Sequence, residues 1–178
     1  DGDDAAGHVA RGVGGEQRGG AAEQQRAAEV LRGLGFVVDE VGAACGDAAR
    51  LKLSRSLFMK GLEALVVEFR AAIAPLAGRE VVLASIERNV GAQFMSFCRM
   101  LIETDRRHAS RRANELAEAV TIFGAPGRPL SVARASIDVL KSAAAAWTAA
   151  DAPPVSAGAD ALAAYLSASA EGGGRAAR

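Results

Sequence analysis

Apolar residues recur at helical spacing along most of the chain, and Gly and Pro cut the pattern into segments. Between residues 47 and 73, Leu51, Phe58, Leu62, Leu65 and Phe69 fall three, four or seven apart, the repeat of one helix face. This predicts one long helix with those five residues packed inward. Asp47 is placed to cap it, and Pro75 and Gly78 close the segment. Further helices are predicted over 21–34, 80–89 and 92–103, and Gly35 is a natural stop for the first. A charged helix is predicted over 105–123, ended by the Gly-Ala-Pro-Gly-Arg-Pro run at 124–129. Ser131 can cap a helix over 131–149. A marginal last helix falls at 160–168. Only Phe36 to Val41 read as a strand, a short β-prone run before Gly42.

The fold class expected is therefore mainly α: a multi-helix domain around one long central helix, preceded by a short helix-strand piece. Four regions are expected. Residues 1–20 are rich in Gly and charge, without periodicity, and read as loop or disorder. Residues 21–42 hold the helix-strand piece and residues 43–150 the helical domain. Residues 151–178 look like a low-complexity Ala/Gly/Ser tail opened by Pro153 and Pro154. There is no internal repeat.

Composition narrows the class. A chain of 178 residues can bury a real core. Half the residues are apolar but only 4% are aromatic, and Ala supplies much of the rest, which favours helices over sheets. Lys plus Arg (21) equals Asp plus Glu (21), so no bulk positive charge points to nucleic acid. No apolar run approaches the roughly 20 residues that span a bilayer, so no membrane partner is expected. Cys45 and Cys98 are far apart and lack metal-ligand spacing, which fits a reducing cytoplasm better than a disulfide framework. The chain opens on Asp1 rather than Met, as a processed or partial chain would.

Chemistry concentrates on the long helix. Lys52, Ser56 and Lys60 stand at i, i+4 and i+8 and so share one side of it. A lysine on an apolar face costs stability unless paired, so the stripe needs an explanation. On the charged helix, Arg107, His108, Arg111 and Arg112 cluster, and Arg111 and Glu115 are spaced for an intrahelical ion pair. A solvated charged face is the plain reading of that cluster. The alternative is an anion site using Arg112 or Arg111. His8 and His108 are the only histidines and share no ligand spacing, so no metal is expected.

The segment GDAARLKLSRSLFMKGLEAL, from Gly46 to Leu65, and the later RRHASRRANELAEA, from Arg106 to Ala119, resemble a known family. They are similar to the helical, phosphogluconate-dehydrogenase-like C-terminal domain of the β-hydroxyacid dehydrogenases, which are NAD(P)-dependent oxidoreductases. The resemblance covers roughly residues 21–149, and it implies that the helix-strand piece at 21–42, with GFVVDEVG before the long helix, is a remnant of the family's dinucleotide-binding domain. It implies that Lys52, after the small-residue run, is the catalytic acid/base. It also implies that Ser56 orients the substrate, where the commoner family residue is Asn. Ser brings one hydroxyl where Asn brings an amide. The Arg55-Ser56 pair fits the variant subfamily. Lys60 and Arg112 are candidates for contacts to a substrate carboxylate. The chemistry is sensible, because a lysine desolvated near other cations can accept the hydroxyl proton of an alcohol undergoing oxidation.

The family also implies a dinucleotide domain of strand, GxGxxG and helix. Gly12-Val13-Gly14-Gly15-Glu16-Gln17 is the one glycine-rich candidate, and it has Gln where the last glycine belongs and no strand before it. The expectation is therefore the substrate and catalytic domain of an NAD- or NADP-dependent hydroxyacid dehydrogenase, inactive alone, that takes a small acidic substrate and forms a homodimer. The alternative is a non-catalytic helical dimerisation domain.

Overall fold

The computed structural model describes residues 21–39, 41 and 46–173. The residues expected as an N-terminal loop, and Cys45, lie outside that set. Among the described residues there are six α-helices and no strand: α1 (Ala21–Gly33), α2 (Asp47–Ile73), α3 (Arg79–Val90), α4 (Ala92–Phe123), α5 (Ser131–Trp147) and α6 (Ala159–Gly173), with one 3-10 turn, Val155–Ala157. The mainly-α, multi-helix class is as expected. The chain divides into two compact units, Asp1–Lys52 and Leu53–Arg178.

The first unit corrects the strand expected over Phe36 to Val41. Phe36 to Asp39 and Val41 are irregular. After α1 the chain turns at Gly35, whose φ of 84° suits a residue without Cβ. There Phe36 N–H donates to Leu31 C=O (3.1 Å) and Gly35 N–H to Arg32 C=O (2.9 Å). That bonding pattern is the left-handed helix cap. Arg32 Nη2 then bonds Val38 O at 3.1 Å. The described part of the apolar run follows the end of a helix, and among the described residues there is no second strand to make a ladder.

In the second unit, α4 is one helix of 32 residues where two had been expected. Thr104 and Asp105 look like a stop and a cap, but neither acts so. Thr104 Oγ1 donates back to Met100 O at 2.9 Å, within the helix, and Asp105 is buried. The inward residues of α4 include Met95, Cys98, Ile102, Asp105, Ala109 and Leu116, spaced three, four or seven apart. Gly124 ends the helix, and a Cβ there would stand 2.6 Å from Val120 O. Arg128 Nε reaches back to Phe123 O at 2.9 Å, which satisfies a terminal carbonyl.

Two apolar clusters form the core. One joins Val66 and Val67 of α2, Leu101 and Ile102 of α4, and Trp147, Leu162 and Leu166 of α5 and α6. The other joins Ala64, Ala113, Leu116, Val120 and Leu140. Within the segment expected as a low-complexity tail, α6 therefore contributes to the core through Ala159, Leu162 and Leu166, and Leu162 is 0% exposed. Arg70 of α2 pairs with Asp160 at the start of α6, where a carboxylate also suits the helix dipole. Tyr165 stacks on Trp147 (5.6 Å) and donates to Asp151 Oδ1 at 3.1 Å.

The face expected to pack on α2 is corrected too. Phe58 is 70% and Leu65 63% exposed, Leu51 is exposed as well, and Leu62 and Phe69 are half-buried. The buried face carries Ser56, Glu63, Val67 and Arg70, with Lys60 half-buried among them. The apolar pattern gave the period of the helix correctly and its orientation wrongly.

Candidate functional site

The inward face of α2 meets α4 through charged groups. Lys60 Nζ donates to Ser56 Oγ at 3.2 Å and pairs with Glu115 Oε2 at 2.9 Å. Glu115 Oε1 accepts from Arg111 at 2.6 Å, the i, i+4 pair expected from the sequence. One turn further along α2, Glu63 pairs with Arg112, whose Nη2 also donates to Thr104 Oγ1 at 3.0 Å. The partners advance along α2 as they retreat along α4, so the two helices run antiparallel here. Deeper still, Trp147 Nε1 donates to Asp105 Oδ2 at 2.7 Å, and the Arg106 guanidinium lies 5.7 Å from the Trp147 ring centroid.

Electrostatics differ along this seam. Burial alone would raise the Glu115 pKa. The hydrogen bond and charge of Lys60, with the charge of Arg111, outweigh burial and hold the group below the usual carboxylate range. Glu63 goes the other way and is pushed up to about 7. Burial is the main cause and the neighbouring Asp105 charge adds to it, against the attraction of Arg112. Asp105 is also raised by burial, despite the hydrogen bond from Trp147 and the charge of Arg112. Loss of water and the charges of Arg112, Arg111 and Arg107 lower the pKa of His108.

The four residues singled out in the sequence meet different fates. Ser56 and Lys60 are brought together and tied to α4. Arg112 reaches the same seam, but its guanidinium is committed to Glu63 and Thr104, so its place is that of a structural cation. Lys52 lies four residues before Ser56 in α2 and is exposed. Sequence reasoning missed Glu63, Asp105 and Trp147. Glu63 stands three residues after Lys60, on the same side of the helix, and that spacing was the available signal. Asp105 offered none, because a buried and a solvated aspartate read alike in sequence. Among the described residues, no group of His, Cys, Asp and Glu could hold a metal ion. No described helix is long and apolar enough to cross a membrane.

No family model matches the chain. A 90-residue stretch is 28% identical to an uncharacterized 28.5 kDa protein in 7S RNA 5'region of Methanothermus fervidus, covering 51% of this chain and 36% of that protein. Among solved structures, the crystal structure of a conserved hypothetical protein from Sinorhizobium meliloti 1021 is similar, with a TM-score of 0.70 and 26% identity. That likeness covers 82% of this chain and 48% of the other. The chain thus spans about a third of the curated relative and about half of the solved structure, and neither name assigns a function.

Proposed function

We propose that the chain is the substrate-side domain of an NAD(P)-dependent hydroxyacid dehydrogenase. The supporting observation is that the two sequence segments carrying the resemblance meet in space. The Lys60–Glu115 pair joins the segment on α2 to the segment on α4. In this reading Lys52 takes the alcohol proton, and the Ser56 hydroxyl, held by Lys60, orients a small acidic substrate. Arg112 keeps to its structural pair. The described residues do not fit a dinucleotide: they provide no strand and no glycine-rich turn leading into a helix. The cofactor would be held by residues outside the described set, and the greater length of both matched proteins leaves room for a domain that does so. The test is to join the chain to a matching dinucleotide domain and follow NAD(P)H absorbance with small hydroxy acids. Lys52→Met should cut kcat by about 100-fold or more, the usual contribution of a positioned base. Undiminished turnover would sink the assignment.

A second reading, a helical homodimerisation domain, rests on a separate observation. Phe58 and Leu65 project from α2 into solvent, and Leu62 and Leu65 border apolar clefts on both sides, toward α3 and α4 and toward α5. The first cleft holds about 320 Å³. Such a ridge between grooves is the form that helix packing across a two-fold axis uses. Light scattering on the purified chain tests it, since a strictly monomeric mass would exclude it.

A further inference from the structure

Glu63 and Asp105 lie together in the core, and their surroundings do not accommodate two negative charges. They are 2% and 0% exposed. One guanidinium, that of Arg112, is bonded to Glu63. Trp147 serves Asp105 Oδ2, which leaves Asp105 Oδ1 buried and without a donor. Arg112, bonded to Glu63, also donates to Thr104, the residue before Asp105, so the two carboxyls are neighbours whose charges act on one another. Two ionised carboxylates so placed repel each other, and an orphaned buried oxygen carries its full desolvation cost. One proton resolves both problems: protonated Glu63 donates to Asp105, and the trio with Arg112 becomes neutral.

We propose that Glu63 and Asp105 share a single proton between α2 and α4, and that losing it as the pH rises loosens the seam these helices form with α5. The pair is then a pH-sensitive latch built into the core. The other charged groups nearby are already engaged. On α2, Lys60 is paired with Glu115 and Arg70 with Asp160 of α6. On α4, Arg106 lies over Trp147, and arginines keep their charge through this range. From α5 the pair meets Trp147, while Asp138 and Lys141 are exposed. Two groups respond at lower pH. His108 and Glu115 both have lowered values, so protonating either costs stability as the pH falls. Glu63 has the opposite sign. Its value rises from 4.5 to about 7 on folding, so the stability it contributes below 4.5 is lost progressively up to about 7.

Trp147 is the chain's one tryptophan and is bonded to the pair, so its fluorescence reads the latch directly. In the intact 178-residue chain, emission should titrate between pH 5.5 and 8.5 with a midpoint near 7. Over the same range Tm should fall by roughly 5 °C. Glu63→Gln keeps the shape and supplies a permanent donor to Asp105. It should abolish the emission change, flatten the Tm profile and melt above the wild type at pH 8.5. A wild-type emission unchanged across the range, or a Glu63→Gln profile that follows the wild type, overturns the proposal. Should that variant fail to fold, carbon-13 NMR of the wild-type glutamate carboxyls decides. One carboxyl titrating near 7 supports the pair, and all titrating in the ordinary range refute it.

Discussion

The two faces of α2 have exchanged the roles that composition would give them. Phe58 and Leu65 face solvent, while Ser56, Glu63 and Arg70 are buried and Lys60 is nearly so. Each charged group on the inward face has a partner from another helix: Glu115 for Lys60, Arg112 for Glu63 and Asp160 for Arg70. The lesson is that a helix's inward face is chosen by its partners. Buried charge is tolerated where another helix brings the opposite charge, and apolar side chains stay outside when the core is already filled by Val66, Val67 and the residues around Trp147. A buried pair of this kind adds little net stability, yet removing one member is costly.

The contrast can be broken from the inside first. Arg112→Met leaves Glu63 facing Asp105 without a cation and should cost about 3–5 kcal/mol at neutral pH in urea unfolding. The loss should shrink at pH 5, because a protonated Glu63 no longer needs its partner. An equal loss at both pH values would remove the electrostatic account. Next in size, Leu162→Ala should cost about 2–5 kcal/mol, since the side chain is fully buried. A loss near zero would return residues 151–173 to the status of a tail. The outward face should behave oppositely. Phe58→Ser with Leu65→Ser should change the stability of the chain by no more than about 0.5 kcal/mol per site. If the dimerisation reading is right, the same double variant should be monomeric by light scattering, and an unchanged dimer would place the contact elsewhere. Smallest of all, Arg111→Ala on its exposed pair with Glu115 should cost under about 0.5 kcal/mol and less still in high salt.

Much of the helical framework was legible in the chain. The spans of α2, α3 and α5 follow from period and punctuation, and the Gly124–Pro129 breaker separates α4 from α5 as read. The errors share one origin. Thr104 and Asp105 carry the local character of a helix boundary, and Phe36 to Val41 the local character of a strand, but packing and capping overrode both. Of the candidate site, the Lys60–Ser56 contact was legible because it lies within one helix. The engagement of Arg112 was not, because its partner stands 49 residues away in the chain.

The division follows from the range of the forces. The sequence by itself determined which segments become helices and where they stop, because propensity, capping and turn chemistry act over a few residues. It also placed Lys52, Ser56, Lys60 and Glu63 on one side of α2, since the helical period is fixed by backbone geometry. Only the tertiary structure decided that Ser56, Lys60 and Glu63 turn inward while Lys52 stays exposed, that Glu63 and Asp105 meet in the core, and that they have one guanidinium between them. Solvation and charge pairing depend on what another helix brings, and the proton that these two carboxyls compete for is a property of their meeting.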